Sequence, residues 1–170
     1  EAINAGYDSV HFDGSFLPLA ENMDITKKTV QYAHSKNVLV EGAVGVIGGE
    51  LTDPEQARDF LKLTKVDSLA INIGTVHGID EDQIDFSRLE LINTKIGDAL
   101  LVLHGGSGVP ENDIQKAISL GIVKVNINTE LRLAYTNTLR QSLSQMPQEI
   151  KPYEYMKEVI PAVKKVVQEK

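Results

Sequence analysis

The chain has 170 residues, 42% hydrophobic and 24% charged, the composition of a folded globular protein rather than a disordered one. A formal net charge of −7 argues against nucleic acid or an anionic membrane as the main partner, yet backbone N–H groups can still capture phosphate locally. There is no cysteine, which excludes disulfides and thiolate metal sites, and no apolar run approaches the ~20 residues of a membrane span.

The chain opens on Glu1-Ala2-Ile3-Asn4-Ala5-Gly6, which reads as the last turn of a helix closed by glycine. The first strand is expected at 9–13 with a helix over 21–35 behind it, then a strand at 38–42 and a helix over 53–64. Thr52-Asp53-Pro54-Glu55 supplies an N-cap, a proline for the first turn and acid near the positive helix end. Strands follow at 68–73, 100–104 and 123–127, each succeeded by a helix: 85–96, one starting near Pro110, and 129–143. A last helix is expected over 153–167. This alternation means parallel strands with right-handed crossovers in one domain spanning 1–170. Periodicity does not separate a doubly wound sheet from a (β/α)8 barrel, but no G-x-G-x-x-G follows a strand.

In parallel α/β proteins chemistry sits at the carboxyl ends of strands. Here those ends hold Asp13, Glu41, Gly74-Thr75-Val76-His77-Gly78, His104-Gly105-Gly106-Ser107-Gly108 and Asn126-Ile127-Asn128-Thr129. His77 and His104 follow successive strands in matching His-Gly contexts, so two imidazoles could converge on one divalent ion. Either histidine alone would equally serve to cap a loop. The glycines after His104, the Ser107 hydroxyl and the helix start at Pro110 form one donor-rich segment, and 126–129 forms another. Together they suit phosphate, although both also read as ordinary βα turns. Asp13 and Glu41 are candidates beside a metal, Glu41 alternatively pairing with a basic group. His11 reads as a satisfied interior histidine and His34 as a solvated one. Lys124 reads as a charge partner for carboxylates rather than a Schiff-base lysine.

Four segments carry a family resemblance: 5–15 (Ala-Gly-Tyr-Asp-Ser-Val-His-Phe-Asp-Gly-Ser), 74–78, 103–110 (Leu-His-Gly-Gly-Ser-Gly-Val-Pro) and 124–132 (Lys-Val-Asn-Ile-Asn-Thr-Glu-Leu-Arg). The sequence resembles the class II, metal-dependent fructose-bisphosphate and tagatose-bisphosphate aldolases over nearly its whole length. The resemblance implies a (β/α)8 TIM barrel, present here as about the last five βα units, and reversible cleavage of a ketose 1,6-bisphosphate. It makes His77 and His104 two of three zinc histidines. It gives Gly78, Gly105, Gly106, Ser107, Asn126, Asn128 and Thr129 to the substrate, Asn128 standing where some members carry Asp. It implies Zn2+ as cofactor, a phosphosugar as substrate and a homo-oligomer, while the lack of cysteine fits a cytoplasmic location. By the same resemblance the first zinc histidine and the general-acid Asp belong upstream of Glu1. Two departures stand out: Ala43 replaces a glutamate of the family's Glu-x-Glu-Leu-Gly, and the 45–52 loop is about a dozen residues short. They motivate the alternative of an inactive phosphosugar-binding relative.

Overall fold

The computed structural model describes residues 1–76, 78 and 83–170. Five strands, β1 (Ser9–Phe12), β2 (Leu39–Val44), β3 (Ser68–Ile71), β4 (Leu100–Leu103) and β5 (Ile122–Val125), pair in parallel and in chain order. Successive strands are joined by α1 (Leu19–His34), α2 (Pro54–Thr64), α3 (Phe86–Ile96) and α4 (Glu111–Ser119). After β5 come α5 (Thr129–Gln145), the short α6 (Pro152–Tyr155) and α7 (Val159–Gln168).

The side of the sheet on which the helices pack decides the architecture. Val30 and Ala33 of α1, Ala57 and Phe60 of α2, Leu89 and Ile92 of α3 and Ala117 of α4 share one buried core with Val40, Leu69, Ile71, Leu101 and Leu103. The opposite, concave face carries a separate small cluster, Ala43, Ala70 and Val102. A doubly wound sheet buries helices on both faces and reverses its strand order. Sequential parallel strands with helices on one face form the wall of a (β/α)8 barrel, five consecutive units of it.

Local chemistry explains the elements. Asp53 caps α2 by accepting from the backbone N–H groups of Glu55 and Gln56, both at 2.9 Å, with Pro54 at the first helical position. Ala57, Phe60 and Thr64 then fall on its buried stripe. Phe60 presses so closely on β2 that a Cβ at Gly42 would stand 2.8 Å from its ring, so glycine is what lets α2 dock. At the chain start a single 3-10 turn (Ile3–Ala5) ends at Gly6 in the left-handed conformation, φ 89°, whose N–H reaches the Ile3 carbonyl.

Two features depart from simple periodicity. The β4–β5 ladder pairs Leu101 with Ile122 and then Val102 with Lys124, so Val123 is an extra, exposed residue in a bulge. The bulge resets the alternation and puts Lys124, not Val123, on the concave face beside Val102. The helix expected over 153–167 is broken into α6 and α7. Pro161 has no N–H and its ring would clash with the carbonyl four residues back, so the chain restarts a helix with Pro161 in its first turn.

Candidate metal and phosphate site

Parallel register sets His11 of β1 opposite Glu41 of β2, both on the concave face. The Glu41 side chain is 4% exposed, and each of its oxygens is engaged. Oε1 lies 2.9 Å from His104 Nε2 and 3.8 Å from His11 Nε2, while Oε2 accepts from Lys124 Nζ at 2.6 Å. The two imidazoles meet edge to face, with ring centroids 5.3 Å apart. Burial opposes ionisation of Glu41, but the His104 and Lys124 hydrogen bonds and the neighbouring positive charge outweigh it and hold its carboxyl down at about 2. Burial also pushes the His11 pKa below its ordinary value, only partly countered by Glu41, which favours a neutral imidazole with a free lone pair.

One donor atom each from His11, Glu41 and His104 lies within 4.8 Å of the other two. Two imidazoles and a carboxylate are a ligand set suited to a divalent transition metal. His77, expected to ligate with His104, lies outside the described residues. Glu41 is paired with a basic group, one of the two alternatives read from sequence. Lys124 is that group, and an ammonium held by a carboxylate is a poor nucleophile, which disfavours Schiff-base chemistry. His11 corrects the expectation of a satisfied interior histidine. Its side chain is 32% exposed and turns toward Glu41, because the residue falls on the concave rather than the helix-covered face.

Asp13 is not part of this group. Its Oδ1 accepts from the Ser15 backbone at 3.1 Å and the Ser15 hydroxyl at 2.6 Å, an Asx-type turn that holds the carboxylate in its own loop. Burial works against the charge, and the Ser15 bonds still leave the Asp13 pKa below its ordinary value. His34 is exposed at the end of α1, as a solvated histidine would be, but it also meets Asp67 at 2.9 Å.

Beside His104 opens a cleft of about 450 Å³ lined by Gly78, His104, Gly105, Ser107, Asn126, Asn128, Thr129 and Arg132. Seven of these eight are residues singled out from the sequence. The cleft is held by its own backbone. Thr75 Oγ1 donates to the His104 carbonyl at 2.6 Å, and the Gly106 N–H donates to the Asn126 carbonyl at 3.0 Å. Gly106 therefore ties the β4 loop to the β5 loop rather than lining the cleft. Gly105 sits at φ 70° with the Val76 carbonyl only 2.3 Å from where a Cβ would stand, so no other residue fits that turn. Ser107 is buried, and its Oγ accepts the Asn128 N–H at 3.1 Å, leaving its own proton available to a ligand oxygen.

The α5 N-terminus opens into this cleft at Thr129, with the positive end of a 17-residue helix behind it. Arg132 is exposed one turn along the same helix face, an addition the sequence reading did not single out. Its i+3 spacing from Thr129 was the available signal. Asn72 is a second addition, structural in kind. From the end of β3 its Nδ2 donates to the Val46 carbonyl at 2.6 Å and the Glu50 carbonyl at 3.0 Å, closing the short 45–51 loop.

Solved structures share this arrangement of elements. The YdjI aldolase of Escherichia coli K12 matches with a TM-score of 0.82 and 34% identity, over 99% of this chain and 60% of its own. A Coccidioides immitis protein proposed to be a fructose-1,6-bisphosphate aldolase matches with a TM-score of 0.80 and 27% identity, over 98% and 64%. The fructose-bisphosphate aldolase (Fba) of Campylobacter jejuni, at 23% identity, is a likeness of fold, with a TM-score of 0.78 over 94% and 57%. The chain thus spans between 57% and 64% of the length of these structures. Residues 1–170 match the family described as fructose-bisphosphate aldolase class-II from end to end, and the chain belongs to that family.

Proposed function

We propose that this chain supplies the metal- and phosphate-binding wall of a zinc-dependent ketose-1,6-bisphosphate aldolase. The reaction is reversible cleavage of fructose- or tagatose-1,6-bisphosphate to dihydroxyacetone phosphate and glyceraldehyde 3-phosphate. The observation that carries this reading is the position of His104, which meets the buried Glu41 carboxylate and also lines the donor-rich cleft. A metal ligand and a phosphate cradle sharing one residue suit a small phosphorylated carbonyl compound.

The donors present fit a divalent metal: His104, with Glu41 and His11 near it, is nitrogen- and oxygen-based and partly desolvated. When bound there, such a cation supplies Lewis-acid polarisation of the substrate ketone. The rest falls to the chain itself. Glu41 fixes the position of the His104 ring, its Oε1 lying 2.9 Å from Nε2. Ser107, Gly105 and the α5 N-terminus hold a phosphate oxygen each by donation, while Asn126 and Asn128 offer amides to substrate hydroxyls. Arg132 places a guanidinium where a second anionic group of a bisphosphate can reach. A cytoplasmic homo-oligomer completes the proposal; among the described residues no helix is long and apolar enough to cross a membrane.

A second reading is favoured by Ala43, which packs against Ala70 and Val102 on the concave face where the family carries a glutamate. It is phosphosugar binding without cleavage. Release of dihydroxyacetone phosphate from either bisphosphate, measured by coupled reduction, separates the two. Turnover lost to a chelator and restored by Zn2+ supports the aldolase. Calorimetric binding of dihydroxyacetone phosphate with no turnover supports the second reading.

A further inference from the structure

We propose that His11, Glu41 and His104 form a cation position of their own inside the wall, held by the Lys124 ammonium until a divalent transition metal displaces it. The assignment deepens the metal-dependent reading and rests on it for the class of cation. Three observations carry it. The donors come from three different strands, β1, β2 and the end of β4, so their spacing is fixed by the sheet rather than by a loop.

Their spacing is also near that of a filled site. Donors about 2.0–2.2 Å from one tetrahedral ion lie roughly 3.3 Å apart. The two separations from Glu41 Oε1, 2.9 Å to His104 and 3.8 Å to His11, bracket that value. A small rotation of the more exposed His11 ring closes the set.

The third observation is charge. Glu41 is almost fully buried, and its other oxygen is met by Lys124 Nζ at 2.6 Å. The bulge at Val123 is what delivers that ammonium to the concave face. The Lys124 side chain is 53% exposed, so it can swing into solvent and leave the carboxylate to a metal at little packing cost. A buried carboxylate with two imidazoles and a mobile cation is a site loaded by exchange of one cation for another.

Cobalt is the probe, because its visible bands report the ligand set. Metal-stripped protein is titrated with Co2+, bound metal is counted after gel filtration, and circular dichroism establishes that each variant is folded. His11→Gln and His11→Phe are each expected to weaken Co2+ binding at least about tenfold and to change the bands. Lys124→Met is expected to tighten binding with the bands unchanged. Wild-type affinity and bands in the folded His11 variants overturn the assignment. If neither His11 variant folds, Lys124→Met decides, and unchanged or weaker binding overturns it. Bisphosphate cleavage is measured in parallel. Cobalt binding that depends on His11 without cleavage leaves this assignment standing and removes the aldolase reading, whereas cleavage with His11-independent cobalt binding does the reverse.

Discussion

The two faces of the same five strands do different work. On the helix side Val40, Leu69, Ile71, Leu101 and Leu103 belong to one continuous apolar core. On the concave side the apolar cluster shrinks to Ala43, Ala70 and Val102, and the neighbouring positions carry His11, Glu41 and Lys124. Leu103 and Val102, or Gly42 and Glu41, are adjacent in sequence yet belong to opposite regimes. Stability on the first face comes from area removed from water. The second face holds desolvated charge, which costs free energy to bury unless every partner is in place. A barrel wall therefore keeps its chemistry on the side that contributes least to its folding.

That contrast can be broken most forcefully on the helix side. Phe60→Ala is expected to cost about 3–5 kcal/mol, since the ring is fully buried and seats α2 against Gly42. Urea denaturation measures the loss. Phosphate affinity of the protein that remains folded should be unchanged, and a matching drop in affinity would show that the two faces are not separable.

The next largest effect belongs to the concave face and appears in acid. The Glu41 pKa is lowered on folding from 4.5 to about 2. Its contribution is therefore fully present above pH 4.5 and is lost as pH falls from there toward 2. The loss should be on the order of 2 kcal/mol. Denaturation series at pH 6 and pH 3 measure it, and Glu41→Gln should flatten the difference. An equal pH dependence in that variant would assign the acid sensitivity to other carboxylates.

A smaller effect tests the helix side where burial is not involved. Asp53→Ala removes both capping bonds at the start of α2 and is expected to cost about 1 kcal/mol. Asn should restore most of it, because an amide oxygen accepts the same N–H groups.

How far the sequence showed each face follows from the range of the interactions. The helix-side elements were legible because their signals are local: β-branched runs ending in glycine, and the Asp53-Pro54 cap of α2. The cleft was legible for the same reason, since Gly105, Ser107, Asn126 and Thr129 lie at strand ends that any parallel sheet gathers together. The His11–Glu41 register and the bulge at Val123 were not, because both depend on which residues of distant strands align. His11 reads as interior from sequence for that reason, as alternation within one strand does not say which face a helix covers. Pro161 carries the signal for the break before α7, but the amphipathic run around it reads as one continuous helix.

The smallest expected effect on stability sharpens the comparison most. Arg132 is exposed on α5 and takes no part in either apolar cluster, so Arg132→Met should leave the unfolding free energy within about 0.5 kcal/mol of wild type. Its guanidinium nevertheless borders the cleft with Ser107, Asn126 and Thr129. A charge-assisted bond to phosphate is worth about 1.5–3 kcal/mol, so bisphosphate affinity should fall roughly 10- to 100-fold. The affinity for inorganic phosphate should fall less, because a single anion can rest on the Ser107 and α5 donors alone. Isothermal titration with both ligands measures the difference. Equal losses would place Arg132 on the same phosphate as those donors. A larger loss for the bisphosphate separates two anion positions in one cleft, one made by backbone and hydroxyl groups and one made by a side-chain charge.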